Sequence, residues 1–283
     1  MKKLFIFFVA LSSLSLAQSF EYSESIGNFK SATSFYITAN GLIYVTDKGS
    51  NEAFLLDTLG NEMKSFGGYG WGDNSFDDPA DVFADPLTVY VADKNNHRIK
   101  RFDKNLNFIS SLYTRDSDDS RESFGYPLSC ATSNQGDLYL IDSENKRAMK
   151  FDFNGNFKQD FGGFDAGNFM LSNPKQLAIA SNNNIFIIDE DKIIVFDQYG
   201  NGIVKINCEV KLNGIRILFD QLTATAEKKI LYSNLRLPEA QLSVLTLLGV
   251  DEIPELVSSM LFNNKLYILS KNSILVFRKD NNN

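Results

Sequence analysis

The chain has 283 residues, of which 43% are hydrophobic and 22% charged, and its formal net charge is −7 at pH 7. This composition is typical of a globular protein with a large apolar core, and an all-β fold of this length is often a single domain. The acidic balance excludes nucleic acid and anionic membrane surfaces as expected partners, because both require clustered Lys and Arg side chains.

The first seventeen residues have the pattern of a cleavable export signal. Two lysines at positions 2 and 3 precede an apolar run over residues 4–16, and the small Ala17 precedes Gln18. The run is short for a membrane span and its flanks are those of a secretory signal. We therefore predict cleavage between Ala17 and Gln18, and a secreted or periplasmic protein comprising residues 18–283 that has no membrane anchor.

One four-residue phrase then occurs four times: an aromatic residue, two apolar or small residues, and an aspartate. The copies are Tyr44–Asp47, Tyr90–Asp93, Tyr139–Asp142 and Phe186–Asp189. Their aspartates are 46, 49 and 47 residues apart (93−47, 142−93 and 189−142). Such a period indicates a repeat architecture. Each phrase aspartate is expected to accept backbone N–H groups in the turn that follows it.

The third copy shows what one unit builds. Four short stretches rich in aromatic and β-branched residues, 127–132, 137–141, 147–151 and 156–161, are separated by Asn, Asp and Gly turn residues. The Asn154-Gly155 dipeptide favours a tight hairpin, since both residues tolerate positive φ. Prolines 79, 127 and 174 open the first stretch of their units, a position where proline is tolerated in a strand. Each unit is therefore predicted to be a four-stranded antiparallel sheet.

The chain contains six such units. Their predicted bounds are 30–68, 78–113, 126–163, 173–207, a degenerate 210–248, and 255–278. The last unit ends after three strands, and residues 20–27 match the missing fourth strand in alternation and in their final Gly. The predicted fold is an all-β, six-bladed β-propeller closed by an N-terminal strand, which leaves no long exposed sheet edge.

Two segments carry a family resemblance. Residues 87–103, with an Asn-x-Arg-Ile stretch formed by Asn96 to Ile99, and residues 137–151 resemble the NHL repeat. The resemblance covers residues 30–206 well and the remainder by extension. It implies a six-bladed propeller, a fold used widely as a binding platform and in some branches as an enzyme.

Propeller enzymes that resemble this chain hold a metal at the central channel. The corresponding positions here, two residues after the opening prolines, are Asp81, Ser129 and Gln176, with Arg216 nearby in the fifth unit. These four form the predicted channel mouth. They offer one carboxylate, Asp81, as a metal candidate, whereas a divalent cation needs several such ligands. No cofactor is expected, and a bound divalent metal is kept as an alternative.

The inter-blade connections are long and aromatic on one face of the predicted ring. Long loops on a rigid scaffold concentrate binding residues, and aromatic and Arg side chains are common interface anchors. The candidate partner-binding residues are Tyr69, Trp71, His97, Arg98, Tyr126, Arg147 and Phe164. The opposing interpretation is that these aromatics pack beneath their own loops.

The predicted function is a monomeric, non-catalytic binding module for a protein or peptide. One alternative is a metal-dependent hydrolase or lyase with its site at the channel. A second is glycan recognition through stacking on Trp71 and Tyr69. The single histidine, His97, is interpreted as a turn residue, because no nucleophile or orienting acid has a matching place in the repeat.

Overall fold

The computed structural model describes residues 18–238, 240–250 and 252–280. The predicted export signal, residues 1–17, lies outside the described residues. The described part consists of β-strands and one 3₁₀ turn at Gly167–Phe169. None of its helical segments has the length and apolar character that crossing a bilayer requires.

The strands form six sheets, called blades 1 to 6 in chain order, preceded by an N-terminal strand, β1 (Ser19–Ile26). Blade 1 comprises β2 (Ala32–Ile37), β3 (Ile43–Asp47), β4 (Glu52–Leu56) and β5 (Glu62–Gly67). Blade 2 comprises β6 (Pro79–Ala84), β7 (Thr88–Asp93), β8 (Arg98–Asp103) and β9 (Phe108–Leu112). Blade 3 comprises β10 (Pro127–Thr132), β11 (Leu138–Asp142), β12 (Arg147–Phe151) and β13 (Phe157–Phe161).

The second half of the chain continues the pattern. Blade 4 comprises β14 (Pro174–Ile179), β15 (Ile185–Asp189), β16 (Lys192–Phe196) and β17 (Gly202–Asn207). Blade 5 comprises β18 (Leu212–Leu218), β19 (Gln221–Ala226), β20 (Ile230–Asn234) and the short β21 (Ser243–Val244). After β22 (Thr246–Leu248), blade 6 comprises β23 (Leu256–Phe262), β24 (Lys265–Ser270) and β25 (Ile274–Lys279).

The six blades close into a ring, as predicted. The innermost strand of each blade contacts the innermost strands of its two neighbours, and β2 and β23 complete the circle. Strand β1 pairs antiparallel with β25, from Phe20 opposite Lys279 to Ile26 opposite Ile274. The first strand of the chain therefore joins the last, and the closure confirms the predicted six-bladed propeller.

The sixth blade has a fifth strand that the sequence did not indicate. Residues 242–247 read as one strand of blade 5, but β21 stays with blade 5 while β22 pairs in parallel with β1, Ser19 opposite Thr246. Leu245, between the two strands, is buried and packs in the same apolar cluster as Phe20. Burial of this leucine thus accompanies the transfer of the chain from one blade to the next.

The core lies between the blades. Strands carrying the repeated phrase are buried on both faces by neighbouring sheets, so that every residue of β11 is buried, whereas the outermost β17 is largely exposed. This arrangement explains why the phrase strands are short continuous apolar runs and not alternating ones.

The phrase aspartates bind backbone N–H groups, but mainly in a different place from the predicted one. Asp47 accepts from the Lys30 and Ser31 amides at 2.6 and 2.9 Å, and also from the Gly49 amide at 2.7 Å. Asp189 accepts from the amides of residues 172 and 173 at 2.9 and 2.5 Å. These carboxylates fasten the connection entering each blade to its second strand. Two of these carboxylates also bind the turn that follows, as predicted: Asp47 accepts from the Gly49 amide, and Asp142 accepts from the Asn145 amide at 3.3 Å.

Candidate functional site

The central channel brings the predicted mouth residues together around one carboxylate. Asp81 on β6 is fully buried and accepts hydrogen bonds from Ser34 Oγ at 2.6 Å and Ser129 Oγ at 2.5 Å. Gln176 Nε2 donates to the same carboxylate at 2.8 Å, and Arg216 Nη2 lies 2.6 Å from it. These five residues, the channel cluster, come from blades 1 to 5 and connect five sheets through one anion.

The repeat explains the position of each member. The innermost strands shift register after their first residue, which turns the side chain two positions later toward the axis. Ser34 occupies this position in blade 1, and the proline-based reading missed it because Ala32 opens that strand. Spacing from the phrase could have found it: Ser34 precedes its aspartate by 13 residues (47−34), as Ser129 does (142−129).

Blade 5 departs from the pattern by placing Gly214 at the equivalent position. A Cβ there would lie 2.8 Å from the carbonyl oxygen of Val257 on blade 6, so a larger residue would force the strands apart. Arg216, two residues further on, supplies the polar group and also donates from Nε to the carbonyl of Phe35 at 2.9 Å. The degenerate fifth blade thus contributes the only cation of the channel cluster.

This donor set does not fit a divalent cation. Such ions take several carboxylate, imidazole or carbonyl ligands, and in the channel cluster one carboxylate is already bound by four side chains, one of them a guanidinium. Within the described ranges, no group of three or more His, Cys, Asp or Glu side chains is arranged to hold a metal.

The second region is the loop-rich face, defined by the three inter-blade connections 68–78, 113–126 and 162–173. The first connection is held from beneath by two cations. The buried Lys100 Nζ donates to the carbonyl oxygens of Gly72, Asp73 and Ser75 at 3.1, 2.7 and 2.6 Å. Arg98 Nη2 donates to two of the same carbonyls, at 2.9 and 3.2 Å. The backbone of this loop therefore has a defined conformation.

The electrostatics of Lys100 follow from its burial. Desolvation lowers the pKa of its ammonium to about 8, and the neighbouring positive charge of Arg98 acts in the same direction. The ammonium also lies 4.8 Å from the centroid of the Phe76 ring, a favourable cation–π distance. Lys100 is a structural cation that the sequence reading did not single out, although it follows Arg98 by two residues on the same strand.

The second connection is held in the same way by Arg147. Its Nη2 donates to the Ser123 carbonyl at 2.7 Å, Nε to Asp142 at 3.1 Å and Nη1 to Asp160 at 3.0 Å. Arg147 and Arg98 are 8% and 9% exposed, so their guanidinium groups face the protein and not solvent. Both side chains support loop backbone in this structure, and their contact with a partner stays a prediction.

His97 and Tyr126 meet at the border between the first two connections. The rings contact edge to face with centroids 4.2 Å apart, and His97 Nδ1 accepts the backbone N–H of Tyr126 at 3.0 Å. Arg115 lies 3.3 Å from that nitrogen and pairs with Glu144 at 2.7 Å. Desolvation, followed by the charge of Arg115, lowers the pKa of His97, which keeps the imidazole neutral as an acceptor.

Each connection contains one apolar side chain that is buried beneath the loop and at least one aromatic side chain that is exposed. Phe76, Phe124 and Leu171 are buried beneath their loops. The predicted contact residues are exposed, by 70% at Tyr69, 76% at Trp71, 40% at Tyr126 and 96% at Phe164. The packing interpretation thus holds for the anchors but not for these four side chains.

A cavity of ≈ 340 Å³ adjoins Phe164 on the same face. The turn at Asn145 and Lys146 forms one wall, and Met170 and Ser172 form the other. Its lining combines three apolar residues, Phe164, Met170 and Leu171, with one cation, Lys146, and the polar Asn145 and Ser172.

The opposite face carries a second set of exposed apolar residues, which the sequence reading missed. They lie in the turns between the third and fourth strands of blades 1, 3 and 4, where Leu59, Phe153 and Tyr199 are 75%, 60% and 71% exposed. In each turn the leading aspartate accepts backbone N–H groups two and four residues later, for example Asp152 from Asn154 and Asn156, both at 2.9 Å. The sequence predicted the blade 3 turn from Asn154-Gly155, and the recurring Asp-x-x-Gly-Asn pattern indicates the equivalent turns of blades 1 and 4.

Sequence comparison with known proteins gives a partial match. No protein-family profile matches the chain. It is 28% identical over 152 residues to Protein brain tumor of Drosophila melanogaster, and the match covers 52% of this chain and 14% of that protein. The chain thus spans a small part of that relative.

Two solved structures superpose over nearly the whole chain. A streptogramin B lyase has a TM-score of 0.65 at 12% identity, covering 91% of this chain and 97% of the lyase. Virginiamycin B lyase from Staphylococcus aureus has a TM-score of 0.59 at 12% identity, covering 90% and 87%. A catalytically inactive histidine-to-alanine form of the latter is known with quinupristin. At this identity the likeness shows the fold alone.

Proposed function

We propose that this protein is an exported, non-catalytic binding module that recognises a protein or peptide on its loop-rich face. The observation that carries the proposal is the exposure of Tyr69 and Trp71 on a loop whose backbone is held from beneath, together with the exposed Phe164 on the third connection. Large exposed aromatics on a defined backbone lose little conformational entropy on binding, which is the property of interface anchors.

The position of these residues supports one continuous surface. The three connections follow one another around blades 1 to 4. The β7–β8 turn links the first two, because Asn96 donates to the Gly70 carbonyl at 2.9 Å and His97 contacts Tyr126. The cavity beside Phe164 extends the surface to the third. A partner that covers Trp71 and Phe164 would span several blades, as a folded protein or an extended peptide can.

Affinity capture with the mature protein tests the proposal. The double variant Trp71→Ala/Phe164→Ala is expected to bind the captured partner at least tenfold more weakly, because truncating an interface anchor costs about 2 kcal/mol or more. Leu59→Ala/Tyr199→Ala, on the opposite face and of similar exposure, is the matched control and should bind normally. Equal loss in both variants, or no loss in the first, contradicts the assignment of the face.

The lyase-like fold raises a second candidate, metal-dependent catalysis at the channel. The saturated carboxylate of Asp81 and the adjacent guanidinium of Arg216 favour the binding module over it. The single histidine lies in an outer turn and serves as an acceptor for the loop backbone. Elemental analysis of protein purified without chelators separates the two: a stoichiometric metal lost in Asp81→Ala would support the enzyme.

Glycan recognition through Trp71 and Tyr69 is the third candidate. Their exposed rings could stack on sugar faces. A glycan array with wild-type protein and Trp71→Ala distinguishes this case, because the protein-partner proposal expects no array signal that depends on Trp71.

Export and a monomeric state are part of the proposal. N-terminal sequencing of protein recovered from the periplasm or medium should begin at Gln18. Sedimentation should give the mass of one chain. A protein retaining residues 1–17 in the cytoplasm would contradict the export proposal.

A further inference from the structure

A cavity of ≈ 330 Å³ lies between blades 2 and 3, near the face opposite the loop-rich face. One wall is a row across blade 2, in which Tyr90, Arg101 and Ser110 are cross-strand neighbours. The other wall is the turn of residues 152–155 in blade 3. The volume is at the lower end of the range for small-molecule sites.

Arg101 is the chemical centre of this cavity. Its guanidinium carbon lies 4.3 Å from the centroid of the Phe153 ring and 5.9 Å from that of Tyr90. Its Nε is buried, yet across the described residues it has no hydrogen-bond partner. No ion pair of the described chain includes Arg101. The aromatic rings thus orient the Arg101 guanidinium, while its N–H groups make no hydrogen bond within the described residues.

An unsatisfied buried donor costs about 1–3 kcal/mol, so proteins rarely keep one without a reason. Ser110, directly opposite Arg101 on the neighbouring strand, is exposed and also lines the cavity. Phe153 on the other wall is 60% exposed although it stacks on Arg101. The terminal N–H groups of Arg101 and the apolar surface of Phe153 therefore line the same space.

The repeat supplies an internal comparison. In blade 3 the equivalent row is Tyr139 and Lys150, and the Lys150 ammonium pairs with Asp137 at 2.9 Å. Two residues before Tyr90, where blade 3 has Asp137, blade 2 has Thr88, whose hydroxyl binds Asp85. Blade 2 therefore keeps the cation of the row but lacks the carboxylate that neutralises it.

One acidic side chain also lines the cavity, Asp152. Its Oδ1 accepts two backbone N–H groups, and its Oδ2 accepts from Asn156 at 3.0 Å and pairs with Lys158 at 3.0 Å. Both oxygens are thus engaged within their own turn, and the charge is compensated by Lys158. Arg101 provides the net positive charge that faces the cavity.

From this geometry we propose that the cavity binds a carboxylate attached to an apolar or aromatic group. The carboxylate would accept from the two terminal nitrogens of the Arg101 guanidinium, a planar pairing that arginine favours, because the buried Nε is out of reach of a ligand. The apolar part would lie against Phe153 and the neighbouring Leu112 and Leu138. The carboxylate can belong to a free organic acid or to the C-terminal residue of a peptide. The site is on the other side of the ring from the loop-rich face and does not depend on that face binding a partner.

Titration calorimetry with three probes tests the proposal: 3-phenylpropionate, N-acetylphenylalanine and N-acetylphenylalanine amide. Both acids, or one of them, should bind saturably at millimolar or lower concentration, and the amide at least tenfold more weakly. Binding of the first acid alone identifies a free organic acid, and a preference for the second identifies a peptide terminus. Inorganic phosphate should not compete. Equal binding of acid and amide, competition by phosphate, or no saturable binding by either acid overturns the proposal.

Variants locate the binding. Arg101→Met should weaken the acids at least tenfold without loss of folding, because the guanidinium makes no internal hydrogen bond in the described chain that its removal would break. Phe153→Ala should weaken them several-fold. Lys150→Met, which removes the same charge from the equivalent row of blade 3, is the control and should bind as the wild type does. Unchanged affinity in Arg101→Met would place any observed binding elsewhere.

Discussion

Replacing Asp81 by Asn tests the role of the channel cluster most directly. The change removes the charge that compensates Arg216, which is 2% exposed and lies 2.6 Å from the carboxylate. The new amide also replaces one accepting oxygen by an NH₂ donor, which then faces the side-chain donors of Ser34, Ser129 or Gln176. Breaking a buried ion pair from one side costs about 3–5 kcal/mol, because the remaining charge stays buried without a partner.

The free energy of unfolding, measured by urea denaturation, should therefore fall by about 3–5 kcal/mol in Asp81→Asn, with an unchanged denaturant slope. The double variant Asp81→Asn/Arg216→Gln should lose less than the sum of the two single variants, since each single variant leaves the other group unpaired. Asp119→Asn is the control, because its carboxylate pairs with Arg121 at the exposed surface. A loss under about 1 kcal/mol in Asp81→Asn, or strict additivity in the cycle, would refute the reasoning.

Three further outcomes are expected. Phe20→Ala should lower the free energy of unfolding by about 3–5 kcal/mol, because the ring is buried where β1 closes the propeller. The control Glu21→Ala, at an exposed position of the same strand, should have little effect, and equal effects of the two variants would contradict closure through β1. Lys100→Met should speed amide hydrogen exchange in residues 68–78, because three carbonyls of that loop lose their donor, and should leave exchange in residues 162–173 unchanged. Unchanged exchange in residues 68–78 would contradict the role of Lys100 in holding this loop.

The third concerns His97, whose resonance is unique in proton NMR because the chain has one histidine. Its pKa should lie below 6.5, so the unfolded chain takes up the proton first as pH falls. The stability linked to this group is complete above pH 6.5 and is lost as pH falls through the folded pKa. A titration midpoint at or above 6.5 would contradict the acceptor role.

The blades were predictable because their determinants are local and repeated. Alternation, turn residues and the phrase aspartate recur in each unit, and each acts over a few residues. Even closure could be inferred, since a unit of three strands at one end and a spare strand at the other leave one consistent pairing. The channel positions followed from the same spacing, apart from Ser34.

Which side chains the loop-rich face exposes was only partly predictable. Trp71 and Phe76 lie in one connection and are equally apolar, yet one is 76% exposed and the other fully buried. Arg98 and Trp71 both looked like interface anchors, but the guanidinium of Arg98 turns inward to hold the loop carrying Trp71. Which side chain faces solvent depends on how the loop folds back over its own blade, and no local pattern encodes that.

The sequence by itself determined the six-fold repeat, the all-β architecture and the face on which long loops gather, because hydrophobic periodicity and turn chemistry act at short range. The tertiary structure decided which charges are neutralised and which are not. Asp81 gathers donors from four other blades, and Arg101 lacks the carboxylate that its counterpart in blade 3 has. The Asp81 contacts join residues 47 to 135 positions apart in the chain, so they exist only after the ring has closed, whereas the pairing of Lys150 with Asp137 needs only the folding of one blade.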